Sequence, residues 1–234
     1  MIAQLRQSLR ALQKPAGIAD GPGALPLGIT TIDLALGGGL ARGALHEIAA
    51  AGEAHATAAA GFALGLASSG ARLVWIAEDM ALIESGAPYG PGLEAFGLAP
   101  ERLLTAAAAR RCDLLWAMEE ALRCRTVAAV IGELRHGEID PVAVRRLSLA
   151  AGMSGALALL LRAAPPRDAS TAATRWIAGA APHDRFAVRL TRNRRGPLGA
   201  WILQWSDDDE RFVLATHAQP MAAPAADRPH REVA

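Results

Sequence analysis

Between residues 45 and 161 the chain repeats one pattern, a short run of consecutive apolar residues followed by a stretch with helical character. Leu45–Ala50 precedes the alanine-rich stretch 56–68, Arg72–Ala77 precedes a loop and a short helix at 91–96, and Leu103–Ala106 precedes a helix at 112–124. Val127–Ile131 leads through Asp140 and Pro141, a cap and a first-turn proline, into a helix reaching about residue 151. Ala156–Leu161 closes the series. Strands that are apolar on both faces and alternate with helices belong in a parallel sheet covered on both sides. After residue 172 the helices stop. Thr174–Ala180, Arg185–Arg192, Ala200–Trp205 and Phe212–Thr216 read as strands, with Asn193-Arg194-Arg195-Gly196-Pro197 as a hairpin turn. The expected fold class is therefore α/β, a parallel core with an antiparallel C-terminal extension. Trp201, Leu203 and Trp205 share one face of that extension and read as core.

The ends differ from this middle. Ile2, Leu5, Leu9 and Leu12 fall on one face of a helix, opposite Arg6, Gln7, Arg10 and Gln13, and Pro15 stops it. Residues 1–14 thus form a helical arm, 15–26 a Pro/Gly linker, 27–217 the domain, and 218–234 a tail whose Ala, Pro and scattered charge predict disorder. Thr30-Thr31-Ile32-Asp33 opens a short helix with hydroxyls at its cap, and Gly37-Gly38-Gly39 stops it.

One count removes a large class of functions. Among 24 basic residues Lys14 is the only lysine, and Pro15 follows it. A phosphate-binding loop of the G-x-x-x-x-G-K-[ST] kind needs a lysine before Ser or Thr, so no such loop exists in this chain. The net charge of +1 supplies no global attraction to nucleic acid or anionic membrane. Cys112 and Cys124 stand twelve residues apart on one expected helix, about 18 Å, too far for a disulfide. They read as buried thiols of a reducing compartment. No charge-free apolar run is long enough to cross a bilayer, and no signal peptide is legible at the start, so a cytoplasmic protein is expected.

From Leu27 to about Leu134 the order of features resembles the core of the RecA recombinase family. The stretch 27–40 is similar to that family's entry segment, and Gly43-Ala-Leu-His-Glu-Ile to its first core strand. The phosphate loop should follow, and Ala50-Ala51-Gly52-Glu53-Ala54-His55-Ala56-Thr57 stands there. Ala50 and His55 occupy the two glycine positions and Ala56 the lysine position; only Thr57, at the magnesium-binding hydroxyl, matches. The strand 127–131 ends in Gly132 where the family has a metal-binding aspartate, with Glu133 beside it. Glu78-Asp79 stand where the water-activating acid would be, and they read as a solvated loop. The six histidines are scattered, so neither a metal nor a cofactor is expected.

The arm, the degenerate loop, Thr171-Ala-Ala-Thr-Arg-Trp and the Arg-Asn-Arg-Arg-Gly-Pro hairpin before Trp201 together resemble the ImuA family. The resemblance implies a RecA-fold accessory protein of bacterial damage-induced mutagenesis without chemistry of its own. Its implied partners are an ImuB-like inactive polymerase relative and an error-prone polymerase of the replicative class; contact with DNA or RecA, and self-association, stay open. The alternative is the division inhibitor SulA, also RecA-folded, which binds the tubulin-like division protein; SulA-like chains are shorter and lack the arm and late strands. Two surfaces are candidates for contacts. One is the stripe Ile2, Leu5, Leu9 and Leu12, read as a partner-docking arm, with packing on its own domain as the alternative. The other is Arg185, Arg189, Arg192, Arg194 and Arg195. These arginines either grip a DNA backbone or acidic partner, or protect a sheet edge with Asp207-Asp208-Asp209-Glu210 neutralising them.

Overall fold

The computed structural model describes residues 23–68, 72–135, 137, 139–165 and 170–215. The arm, most of the linker and the tail lie outside the described residues.

A two-stranded ribbon, β1 (Ala24–Leu25) and β2 (Leu40–Ala41), brackets helix α1 (Thr30–Ala35). The parallel series then runs β3 (Leu45–Ala50), a 3-10 turn (Glu53–His55), α2 (Ala56–Ala67), β4 (Leu73–Glu78), α3 (Asp79–Ser85), α4 (Gly90–Glu94) and β5 (Leu103–Ala108). It continues with α5 (Arg111–Leu122), β6 (Ala129–Leu134), α6 (Pro141–Ser154), β7 (Leu157–Arg162) and β8 (Thr174–Ala181). Antiparallel β9 (Arg185–Asn193), β10 (Gly199–Ser206) and β11 (Arg211–Leu214) complete a nine-stranded sheet of order β11-β10-β9-β8-β3-β7-β6-β4-β5.

Alternate side chains of the parallel strands feed two cores. Leu73, Trp75, Ile131, Leu157, Leu159 and Leu161 face α2 with Phe62 and Leu66. Val74, Ile76, Val130, Ala158 and Leu160 face α5 and α6 with Leu114, Met118, Val144 and Leu147. The first core extends under the antiparallel strands as an aromatic cluster. Phe212 lies 5.4 Å from Phe62, 5.4 Å from Phe186 and 5.1 Å from Trp205, and Trp176 packs edge-on to Phe62 at 5.7 Å. Trp201, Leu203 and Trp205 pack here as expected. Gly65 makes the contact possible, because a Cβ on it would stand 2.5 Å from the Phe212 ring.

Several local expectations need correction. Asp140 does cap α6, accepting from the Val142 N–H. The hydroxyls of Thr30 and Thr31 do not cap α1: its N-cap is Ile29, and Asp33 reaches back to accept from the N–H groups of Leu27 and Gly28 at 2.8 and 3.0 Å. The loop expected after β4 begins with helix α3, and β6 continues through Gly132 to Leu134. Cys124 is buried but Cys112 is exposed. Among the described residues no helix is long and apolar enough to cross a membrane.

The seam between the parallel core and the extension is polar yet buried. On β3, His46 and Glu47 are 0% and 1% exposed, directly opposite Thr174 and Arg175 of β8. Glu47 accepts from Arg175 Nε at 2.7 Å and from the Ser170 hydroxyl. His46 Nε2 lies 2.8 Å from the Ala41 carbonyl, which can only accept, so the proton sits on Nε2. Nδ1 must then accept from the Thr174 hydroxyl at 2.7 Å, whose oxygen in turn accepts from Trp176 Nε1 at 2.9 Å. Burial, with a smaller push from the Arg195 charge, holds the imidazole down at about 4 against an ordinary 6.5. The unfolded chain therefore takes up this proton near pH 6.5 and the folded chain only near 4. Its stabilising effect is full above pH 6.5 and is lost as pH falls, by roughly 3 kcal/mol at most. Denaturant titrations of the parent and His46→Gln from pH 7 to 4 should show a steeper acid loss in the parent; parallel curves would refute the assignment.

Candidate functional site

In an open parallel sheet, ligands bind beyond the carboxyl ends of the strands, where the following helices present their N-termini. Here that edge is formed by the 50–57 loop after β3 and by the ends of β4, β6 and β7.

The loop is tied down to β8. The Ala51 N–H donates to the Ala178 carbonyl at 2.9 Å, and the Ala180 N–H donates to His55 Nδ1 at 3.1 Å. The imidazole lies against Gly179, where a Cβ would meet it at 3.3 Å. No residue from Ala50 to Thr57 has a left-handed φ, and Gly52 is simply extended at 170°. A backbone nest that wraps a phosphate needs alternating right- and left-handed residues that turn successive N–H groups inward. This loop lacks those turns, and Ala56 offers no cation. Thr57 stands exposed in the first turn of α2.

The acids at this edge are engaged by neighbours. Glu78 is not in a solvated loop. It ends β4, accepts from the Arg135 N–H at 3.0 Å and stands 3.7 Å from Arg111 Nε. Asp79 begins α3. Glu133 accepts from Trp75 Nε1 at 3.0 Å, and burial pushes its carboxyl above the ordinary carboxylate range, opposed by the Trp75 bond and the Arg135 charge. Arg135 also reaches Ser85 and Glu84, and Arg162 donates to the Gly137 carbonyl at 2.7 Å. A small hollow remains between Ala56, Glu133, Arg135, Leu161 and Arg162. Among the described residues no group of three or more His, Cys, Asp or Glu is placed to hold a metal.

Gly132 is not at the strand end. It sits within β6, and the space a side chain would fill holds Met118 of α5, whose Sδ would be 2.1 Å from a Cβ there. The glycine that looked like a missing metal ligand makes room for Met118.

The arginine cluster is divided. Arg185 begins β9 beside Gln204 of β10, while Arg192, Arg194 and Arg195 lie at the opposite end of that strand, roughly 24 Å away. Arg189 is exposed on the strand between them. Asn193 fastens the hairpin to α1, donating to the Ala35 carbonyl at 2.7 Å and to Pro197 O at 3.0 Å. The acidic turn 207–210 joins β10 to β11 at the Arg185 end, and Asp209 pairs with Arg211 at 3.7 Å. It therefore does not neutralise the hairpin. Among the described residues, no carboxylate forms an ion pair with Arg189, Arg192, Arg194 or Arg195. The His55 anchor and the Glu47–Arg175 pair were not foreseen; two adjacent polar residues inside the apolar 45–50 run were the available signal for the second.

No protein-family model matches the chain. Protein ImuA of Caulobacter vibrioides is 32% identical over 196 residues, covering 72% of this chain and 77% of that protein, in strain NA1000 / CB15N. The same figures hold for strain ATCC 19089 / CIP 103742 / CB 15. Among solved structures, that of the RadB recombinase matches with a TM-score of 0.56 and 15% identity, covering 80% of this chain and 97% of that one. The fold is RecA-like, as the order of elements suggested.

Reinstating an acid at the strand position therefore should not rebuild a metal site. Gly132→Asp should destabilise the protein by at least about 3 kcal/mol, through overpacking and an unpaired buried carboxylate. Adding Met118→Ala should recover part of that loss, as measured by thermal unfolding. A Gly132→Asp protein as stable as the parent would contradict the packing account.

Proposed function

The chain belongs to the ImuA family, and from that premise we propose that it is a non-catalytic RecA-fold adaptor in damage-induced, error-prone translesion DNA synthesis. It acts in the cytoplasm and bridges an ImuB-like inactive polymerase relative and an error-prone polymerase of the replicative class. One observation carries the absence of chemistry: the 50–57 loop offers neither lysine nor left-handed turns, and His55 is spent on the Ala180 backbone. A site that cannot cradle a polyphosphate has no nucleotide to hydrolyse. What the fold supplies instead is a set of separate surfaces, which suits bridging.

The test is a tagged pull-down from DNA-damaged cells, read by mass spectrometry. Recovery of the ImuB-like protein and the error-prone polymerase is expected. Recovery of the tubulin-like division protein in their place would overturn the adaptor reading in favour of a SulA-like inhibitor.

The hairpin is the surface we assign to DNA. Among the described residues no carboxylate forms an ion pair with Arg192, Arg194 or Arg195, and arginine suits phosphate oxygens. Changing Arg194→Glu together with Arg195→Glu should weaken duplex binding and lower the slope of log affinity against log salt by about 2. A parent protein without salt-dependent DNA binding would remove this surface from the proposal.

A further inference from the structure

Helix α6 buries Val144, Leu147, Ala150 and Ala151 against the sheet and α5. Its opposite face exposes Val142 at 62%, Leu149 at 60% and Met153 at 79%. With Arg146, these residues stand at i, i+4, i+7 and i+11, the spacing of a helix–helix seam. Arg146 is drawn sideways to Glu119 of α5, which leaves its aliphatic stem in the row.

The described chain begins near the carboxyl-terminal end of this helix. The Gly23 carbonyl accepts from the Arg42 N–H at 2.9 Å, and the adjacent Gly43 donates to the Ala156 carbonyl at 3.1 Å. Gly43 lies against the last turn of α6: a Cβ on it would be 3.4 Å from the Ala151 carbonyl oxygen and 3.5 Å from the Gly152 Cα. Gly23, the first described residue, is therefore joined through Arg42 and Gly43 to the carboxyl end of α6. Within residues 1–22, Ile2, Leu5, Leu9 and Leu12 recur at i, i+3, i+7 and i+10, the matching half of such a seam. As a helix, residues 2–12 would be about 15 Å long, against about 17 Å from Val142 to Met153. The connecting residues 13–22 can span at most about 35 Å, more than the length of α6.

We propose that residues 2–12 dock in cis along α6, with Ile2, Leu5, Leu9 and Leu12 packing against Val142, Leu149 and Met153. The stripe read from the sequence as a partner-docking arm then has its partner within its own chain. This docking does not depend on the adaptor reading, since it is a property of the isolated protein.

Hydrogen exchange of the full chain, resolved by mass spectrometry, tests it. Leu149→Asp with Met153→Asp changes only exposed positions, so the fold should persist. Leu34→Asp, at a side chain 75% exposed elsewhere on the surface, is the control. Amides of residues 2–12 should exchange about tenfold slower in the parent than in the double variant, with the Leu34→Asp protein like the parent. That protection should survive about a hundredfold dilution, because docking in cis is independent of concentration. Exchange at free-peptide rates in the parent, protection that the double variant keeps, or release by Leu34→Asp would each overturn the proposal. Protection that vanishes on dilution alongside a dimer in size-exclusion chromatography would overturn it in favour of a second copy.

Discussion

The β3–β8 seam is the constraint on which the rest of the structure depends. β3 is paired on both sides, to β7 within the parallel core and to β8 at the start of the extension. If that pairing slipped by one residue, Glu47 would lose Arg175 and His46 would lose Thr174, leaving a charge and a ring nitrogen buried without partners. Breaking a buried ion pair costs roughly 3–5 kcal/mol, whereas an apolar pair would tolerate the shift more readily. The register in turn delivers Trp176 to Phe62, and through β9 and β10 it carries Phe186, Trp205 and Phe212 to the same face of α2. A polar device a few atoms across thereby directs the assembly of a large apolar one.

The same seam shapes the functional edge. The 50–57 loop leaves β3 directly, and both of its anchors, at Ala178 and Ala180, belong to β8. With β8 paired to β3, these two bonds hold the loop against the sheet. Beyond the neighbouring strands Glu78 accepts from the Arg135 N–H, Glu133 from Trp75, and Arg162 donates to the Gly137 carbonyl. Several of the donors at this edge are thus turned on its own carboxylates and carbonyls.

How much of this was legible follows from where the determining contacts lie. The parallel series could be read because its strands are apolar on both faces, and the hairpin at 193–197 because turn chemistry is local. Helix α3 (Asp79–Ser85) was missed because Ala81 is its only fully buried side chain, which leaves no apolar face to read. Gly132 was misjudged for a different reason. A glycine at an apparent strand end reads as a stop, and only the pairing of Glu133 and Leu134 with β7 shows that β6 continues past it. His55 has the same character, since its hydrogen bond spans 125 residues of sequence. The degenerate loop itself was plain from the residues; the manner in which it is held was not.

A bound nucleotide stabilises a folded protein by mass action, about 4 kcal/mol when the ligand stands a thousandfold above its dissociation constant. If this loop binds none, as proposed, its order must come from contacts built into the chain. The His55 and Ala51 hydrogen bonds contribute about 1 kcal/mol each, and the Arg135 contacts to Glu78, Glu84 and Ser85 hold the opposite bank. Such contacts are present at every moment of the protein's life, where a nucleotide comes and goes. On that proposal the surfaces of this molecule are fixed by its own folding and not switched by a hydrolytic cycle. That is the property an adaptor requires if its affinity for partners is to depend on how much of it has been made.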